Sequence, residues 1–425
     1  MGCTGSNSKR RARGRRVVVT VIAATLCSTL VACDSLLDVE LPGQVTDDQL
    51  DNPALAATMV TSALGEFECA LNELVPTNAF LTGEFVSSNF YLDSNRWGLR
   101  DAVFMKASPG ACPTVRASTN YGYYVPLQRA RFLAEDAARR IGGFADADVP
   151  NRADLLAQLK TYEGYSLVWL GESFCEVAID NGPLMSPAEV LKAAEARFGE
   201  ALGFAAQAND ADIQNLARVG RARARLDLGD AAGAAADAAL VPAGYVRNAK
   251  YSTIEIRREN STFNRTEAAY LSVGPAWRNL TVNGAPDPRV PVADAGKMGQ
   301  DGVTPQWDQK KYTARTSPIP IASWREAQLI LAEARGGQAA IDAMNRVRAS
   351  HGIPPLTAAD VTDVTATILE ERRREFFLEG QRHSDMIRHH IPFPSGLNNK
   401  GETFQDYTCM PLPDVETFNN PNIPG

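Results

Sequence analysis

Four histidines, His351, His383, His389 and His390, are the chain's whole supply of imidazole, so metal or proton chemistry has few places to occur. Asp385 and His389 stand four apart, an offset that puts both on one helical face and suits a metal. The adjacent His390 points elsewhere and no third ligand follows, so the spacing predicts no metal site. It places His389 and His390 in the last turn of a helix, where cationic groups are favoured. The densest charge run, Glu370-Glu371-Arg372-Arg373-Arg374-Glu375 with Glu379 and Arg382 beyond it, offers paired carboxylates of the kind a glycoside hydrolase uses. Helical geometry explains it more simply. Glu370 with Arg374 and Arg372 with Glu375 are at ion-pairing offsets, while Ile368, Leu369, Phe376 and Ile387 supply apolar contact. No nucleophile elbow, zinc-protease His-Glu pair, phosphate-cradling glycine loop or calcium loop occurs. The expectation is a protein without catalytic residues or cofactor.

The aromatic residues are better candidates for recognition. Sugar rings present C–H faces that stack on tryptophan or tyrosine, while Asn, Asp and Arg bond their hydroxyls. Three stretches have that composition: Phe90-Tyr91-Leu92-Asp93-Ser94-Asn95-Arg96-Trp97, Trp277-Arg278-Asn279 and Trp307-Asp308. Trp97, Asn95, Trp277 and Trp307, with Tyr123, are therefore the candidate ligand-binding residues. Taken singly, each ring is more often core or interface than ligand platform.

Apolar periodicity supplies the elements that must position these groups. Leu55, Met59, Leu64, Phe67 and Leu71 recur at helical spacing behind Asn52-Pro53. Residues 123–141 and 152–170 repeat the pattern, the latter with Leu155, Leu159, Tyr162 and Trp169 on one stripe. Ser186-Pro187-Ala188-Glu189 is a capping box opening another helix, and Ser323-Trp324-Arg325-Glu326 is a second. Leu228-Gly229-Asp230 separates residues 216–228 from 231–240, and Ala222, Ala224, Ala232, Ala235 and Ala239 let the two helices approach closely. Gly336-Gly337 divides residues 327–334 from 338–349 in the same way. Two tetratricopeptide-like helix pairs, 186–242 and 323–350, are thus expected. Residues 243–321, rich in Gly, Pro, Asn, Thr and aromatics, form a looped insert suited to displaying a site. One last helix is expected over 364–390, and the proline-rich 392–425 should wrap the surface.

The amino terminus sets the compartment. A basic head, Lys9, Arg10, Arg11, Arg13, Arg15 and Arg16, precedes an apolar run ending Leu30-Val31-Ala32-Cys33. This is a lipoprotein export signal over residues 1–32, with Cys33 as the acylated first residue and residues 33–51 as tether. The run is shorter than the roughly 20 residues a spanning helix needs, which favours a cleaved anchor. Arg15-Arg16 permits twin-arginine export, and Asp34 is a residue that retains some lipoproteins at the inner membrane, so route and membrane face stay open. The whole chain carries a net charge of −7, and losing six basic residues without an acid takes it to −13. An acidic body argues against nucleic acid. The roughly 390 residues left exceed the usual single-core size, so one large composite domain or two intimate halves is expected. Cys3 and Cys27 leave with the signal; Cys69, Cys112, Cys175 and Cys409 remain, an even number consistent with two disulfides. Of three possible pairings, Cys69 with Cys112 and Cys175 with Cys409 is the one taken here, and none of these cysteines lies close enough to another for a zinc knuckle.

In order along the chain, Cys33-Asp34-Ser35-Leu36-Leu37-Asp38-Val39, Asp287-Pro288-Arg289, Trp324-Arg325-Glu326-Ala327, Leu331-Ala332-Glu333-Ala334 and Asn345-Arg346-Val347-Arg348 resemble the SusD/RagB lipoproteins. The most specific stretch is Glu371-Arg372-Arg373-Arg374-Glu375-Phe376-Phe377-Leu378-Glu379-Gly380-Gln381-Arg382, followed by Asp385, Arg388, Met410-Pro411-Leu412-Pro413 and Asn420-Pro421-Asn422. The resemblance implies a mainly α fold: tetratricopeptide-like helix pairs forming a right-handed scaffold, with a loop-rich, ligand-facing half over residues 52–425. It also implies a nonenzymatic nutrient-binding protein, lipid-anchored at the outer-membrane surface. Such a protein would deliver an oligosaccharide, or alternatively a peptide, to a SusC-like TonB-dependent transporter. An assembly lipoprotein that binds only proteins is the rival reading. The family's motifs are scaffold motifs and transfer no ligand residue. His383 stands where the family usually carries an aromatic.

Overall fold

The computed structural model describes residues 46–116 and 118–423; Cys33, the export segment and most of the tether lie outside the described residues. The chain divides into two units, 1–51 and 52–425. Of the first, the described part is a single 3-10 turn, Asp48–Asp51. The second is mainly helical and carries everything that follows.

Asn52 accepts a hydrogen bond from Ala54 N and starts a 3-10 turn, Pro53–Leu55, that runs into α1 (Ala56–Leu81). Residues Pro53–Leu81 are long and apolar enough to cross a membrane. Here the helix lies inside the fold, and its buried polar residues have protein partners. Asn72 bonds the backbone of Glu259 and Ser261, and Glu73 pairs with Arg265 at 2.6 Å with both side chains fully buried. Two short helices follow, α2 (Leu92–Gly98) and α3 (Ala102–Ala107), then the long α4 (Tyr124–Gly143) and α5 (Arg152–Ser173). Leu155, Leu159, Tyr162 and Trp169 all face the core.

Ser186 makes the full capping box with Glu189 and opens α6 (Pro187–Ala208), which packs on α5 and on α7 (Ala211–Asp227). Close approach is built in at Phe198 of α6, whose ring is held between Gly164 of α5 and Gly220 of α7. A Cβ on Gly220 would meet that ring at 2.3 Å, well inside van der Waals contact. Gly229, at φ +81°, turns α7 into α8 (Ala231–Ala238). Later α10 (Trp324–Arg335) and α11 (Gly337–Ser350) form the second pair, joined at Gly336 (φ +64°). Ser323 caps α10 from one side only, because the Glu326 carboxylate bonds Arg223 at 2.7 Å instead of returning to the cap. The helix pairs are tetratricopeptide-like.

Between the pairs, residues 243–321 hold α9 (Ser261–Glu267) and most of the short strands. With β1 (Phe85–Ser87) in front, β2 (Val177–Ala178) and β3 (Leu184–Met185) pair after α5, and β4 (Val246–Ala249) pairs with β10 (Ile319–Ser323). β5 (Leu271–Val273) pairs with β1, β6 (Thr281–Val282) with β7 (Ala285–Pro286), and β8 (Val292–Met298) with β9 (Pro305–Gln309), all antiparallel.

The helix expected over 364–390 is two helices, α12 (Val364–Glu375) and α13 (Arg382–Arg388). Leu378 (φ +55°) and Gly380 (φ +85°) reverse the chain between them. Tertiary contacts hold the break: Leu378 N donates to Glu84 Oε1 at 2.8 Å, Asn78 Nδ2 donates to Gly380 O at 3.1 Å, and a Cβ on Gly380 would strike Leu74 at 2.5 Å. The charge run also pairs differently from its helical offsets. Glu370 does bond Arg374, at 2.7 Å, but Arg372 turns to Asp385 at 2.8 Å, and Glu375 takes Arg325 at 2.5 Å and His351 at 2.8 Å. Arg372, Asp385 and Glu375 are buried, where an ion pair needs full hydrogen bonding to be tolerated, while Arg325 and His351 are partly exposed.

Glu371 is the hub. It accepts from Arg289 Nη1 at 2.6 Å and from Arg348 Nη1 at 2.8 Å, so the looped insert, α11 and α12 meet at one buried carboxylate. Arg289 in turn forks onto Asp287, with Nε and Nη2 at 3.0 and 2.9 Å, and Arg374 adds a bond at 3.0 Å. Burial opposes charge on Asp287, but these donors outweigh it and hold the carboxyl at about 2. Disulfides join Cys69 to Cys112 and Cys175 to Cys409. The chain's end, with α14 (Asp414–Asn419), lies along the body: Cys175 N donates to Met410 O at 2.9 Å and Asn420 Nδ2 to Gly182 O at 2.8 Å.

His383 sits in this end's anchorage. Its ring meets Phe393 edge-on, Nε2 donates to Thr408 O at 2.7 Å, and Nδ1 is buried without a partner. Burial pushes its pKa down to about 4.

Glu371→Ala leaves two guanidiniums buried without their shared acceptor and is expected to cost about 3–5 kcal/mol, measured by urea unfolding. An unfolded histidine gains its proton near pH 6.5, the folded His383 near pH 4. Between those values the unfolded chain binds more protons, so stability falls as pH drops through that window, by up to roughly 3 kcal/mol. Thermal unfolding of His383→Phe from pH 7 to 4 should lack this component, which the difference between the two curves isolates.

Candidate functional site

The structure separates the five residues selected from sequence. Trp97 is 2% exposed and packs near Tyr121, and Trp277 is 2% exposed and stacks on Phe377 at 5.2 Å with Arg373 over its other side at 4.4 Å. Tyr123 is fully buried, edge-on to Phe174, and donates to Asn78 Oδ1. These three are core residues, a correction to their reading as ligand platforms: no ring face is left for a sugar. Trp307 is half-buried on β9 with the Arg278 guanidinium over its ring at 5.3 Å. Asn95 lines a cavity, and its amide donates to Glu402.

The same segment that supplied Trp97 and Asn95 presents other rings to solvent. Phe90 is 67% exposed and Tyr91 38%. Their centroids lie 4.6 Å apart, and Tyr91 continues to the half-buried Tyr270 at 5.4 Å, so three tilted rings are in contact with one another. The backbone beneath is tightly specified. Ser88 N and Asn89 Nδ2 both donate to Tyr270 O, at 3.0 and 2.9 Å, and Asn89 Oδ1 accepts from Tyr91 N at 2.8 Å. Ser88 Oγ bonds Ala269 O and Gln306 Oε1, while Asp301 N donates to Ser88 O at 3.1 Å. β1 and β5 thus place Phe90 and Tyr91 beside Tyr270, and the turn after β8 buttresses them.

The polar surroundings are neutral or charge-balanced. The Tyr91 and Tyr270 hydroxyls lie 3.3 Å apart, and that hydrogen bond, with some burial, pushes the Tyr270 phenol up to about 12. The Tyr270 hydroxyl therefore stays protonated at physiological pH. Lys400 donates to Asn89 O, reaches Ser87 Oγ at 3.3 Å and pairs with Asp301 at 3.3 Å. Rings carrying hydroxyls, with a balanced Lys–Asp pair alongside, suit an uncharged polyol better than an ion.

Ser87, three residues before Phe90, lines a cavity of about 400 Å³, walled by Phe80, Phe85, Pro275, Pro394, Leu397 and Phe404 together with Gly98 and Asn95 of α2. Among the described residues no cluster of three or more His, Cys, Asp or Glu could hold a metal. Phe90 and Tyr91 were within the stretch marked by composition, but composition favours its tryptophan. The available signal was local: Phe90-Tyr91 immediately precedes a helix, whereas Trp97 falls inside it.

Residues 246–422 match the model of the SusD family. No curated protein matches the sequence. Among solved structures, a SusD superfamily protein from Parabacteroides distasonis is 14% identical with a TM-score of 0.64, over 90% of this chain and 99% of that one. A SusD-like carbohydrate binding protein from Bacteroides vulgatus is 15% identical, with a TM-score of 0.62 over 88% of this chain and 97% of that one. The surface glycan-binding protein A from Bacteroides thetaiotaomicron is 13% identical, with a TM-score of 0.61 over 88% of this chain and 98% of that one. At such identities these likenesses show the fold.

Core and platform aromatics should separate in unfolding experiments. Trp277→Ala and Trp97→Ala are expected to lose about 3–5 kcal/mol each in denaturant titrations, while Tyr91→Ala stays within about 1 kcal/mol of the parent.

Proposed function

Because the chain belongs to the SusD family, we propose that it is a nonenzymatic, surface-tethered binding protein that captures an oligosaccharide on the rings of Phe90, Tyr91 and Tyr270. The observation carrying this reading is the pair of exposed rings, Phe90 and Tyr91, continued by the half-buried Tyr270 and flanked by a balanced Lys400–Asp301 pair. Relatives of the same fold described as carbohydrate binding and surface glycan-binding proteins support it. Two disulfides suit an oxidising compartment and agree with export through residues 1–32 and acylation of Cys33.

In this account the lipid anchor keeps the body at the outer-membrane surface, beside a SusC-like TonB-dependent transporter. Capture there raises the local concentration of ligand at the transporter mouth, so modest affinity suffices. Stacking and hydrogen bonding hold a sugar without strain or covalent chemistry, and no step calls for a catalytic group.

Glycan arrays followed by calorimetry on the best ligand test the reading. Replacing Phe90 and Tyr91 together by Ala should weaken binding at least about tenfold, as removal of two stacking faces worth roughly 1 kcal/mol each implies, with unfolding little changed. Binding to a parallel peptide library instead would assign the platform to peptides, and silence on both would remove the reading. Isolation from native membranes in mild detergent should bring a large β-barrel transporter with the protein.

A further inference from the structure

We infer that the cavity beside the platform is a subsite for an aryl group attached to the captured ligand; this rests on the binding role proposed above and adds to it the chemistry of the ligand. Three observations point there. The first is lining: Phe80, Phe85 and Phe404 with Pro275 and Pro394 give apolar walls and ring edges, which favour an aromatic guest over a flexible chain.

The second is the state of its polar groups. Each polar side chain on the lining is hydrogen-bonded within the protein. Asn95 donates to Glu402, Asn398 Oδ1 accepts from Lys400 N and Glu402 N at 2.8 and 2.9 Å, and Asn399 donates to Ser87 O and Thr304 Oγ1 at 2.9 and 2.7 Å. Lys400 occupies Ser87 Oγ. Most of the amide donors are thus committed to protein acceptors, so a sugar hydroxyl entering the cavity would find few open partners beyond Asn399 Oδ1 and the Ser87 O–H, and one left unmet costs about 1–3 kcal/mol. An aryl group loses nothing and gains by burial.

The third is position and size. Ser87 lines the cavity and Phe90 stands three residues on, at most roughly 10 Å of extended chain. A single ligand can therefore lay a sugar on the platform and place an attached ring in the cavity. A volume of about 400 Å³ exceeds the roughly 150 Å³ of a cavity that holds benzene, leaving room for a substituted ring and its linkage. Gly98 lines the cavity beside Phe80, and a Cβ there would make only ordinary contact with that ring at 3.5 Å, so a larger side chain can start at this position without a clash.

The test uses 4-fluorophenol on the folded, full-length protein, with binding followed by fluorine NMR line broadening. Saturable binding is expected, reduced at least tenfold in Gly98→Leu, whose side chain fills the cavity. Val86→Trp, filling it from β1, serves as the second variant should the first unfold. With sugar attached, phenyl maltoside should bind at least tenfold more tightly than methyl maltoside, and that preference should vanish in the filled variants. Absence of saturable 4-fluorophenol binding, or binding undiminished in both variants, overturns the inference. Because 4-fluorophenol carries no sugar, a failure of glycan capture leaves this result standing. Glycan binding with no response to the phenol overturns the cavity assignment alone.

Discussion

A single buried carboxylate, Glu371, ties together parts of the chain that would otherwise be independent. It faces Arg289 from the looped insert and Arg348 from the second helix pair, and all three are almost wholly removed from water. Such a trio is tolerated only when every charge is met, so its geometry admits little variation. The insert carries most of the short strands and, through Tyr270, one ring of the platform. The hub fixes the insert on one side, and Glu73 with Arg265 and the pairing of β1 with β5 fix it on another, which matters because isolated two-stranded ribbons of this size are marginal in water. The same logic runs along the next turns of the chain, where Arg372 with Asp385, and Arg388 with Glu333 and Asp385, bind α12 and α13 to α10.

This arrangement divides labour between two kinds of aromatic. Large rings of the core, Trp97, Trp169 and Trp277 among them, fill space, and two of them carry cations: Arg223 lies 4.7 Å from the Trp169 ring and Arg373 4.4 Å from that of Trp277. In the proposed binding role, recognition falls to smaller rings beside a two-stranded ribbon, where the backbone is fixed and Phe90 and Tyr91 stay exposed. A rigid base under exposed rings limits the entropy lost on capture.

Much of the scaffold was legible from the amino acids because its signals are local. The capping box at Ser186, the break at Gly229 and the double glycine at 336–337 each act within a few residues, and each marks an element boundary in the structure. The break between α12 and α13 was not legible. Nothing in Glu375-Phe376-Phe377-Leu378-Glu379 disfavours helix; what bends it is Glu84, Asn78 and Leu74 from the far end of the chain. The ion pairs failed for the same reason, since offsets on one helix say nothing of Asp385 or Arg325 arriving from elsewhere. For the candidate site, composition marked the segment 90–97, but which ring in it turns outward depends on where α2 packs.

The segment from Ile391 to Tyr407 walls the cavity on one side while both its flanks are fastened. His383 and α13 hold one end, and the bridge from Cys409 to Cys175 holds the other. Between these ends the segment is pinned as well: Asn399 donates to Ser87 O, and Arg100 Nη2 to Pro394 O and Gln405 O, so the wall is fixed along its length and the shape of the cavity is set before any guest arrives.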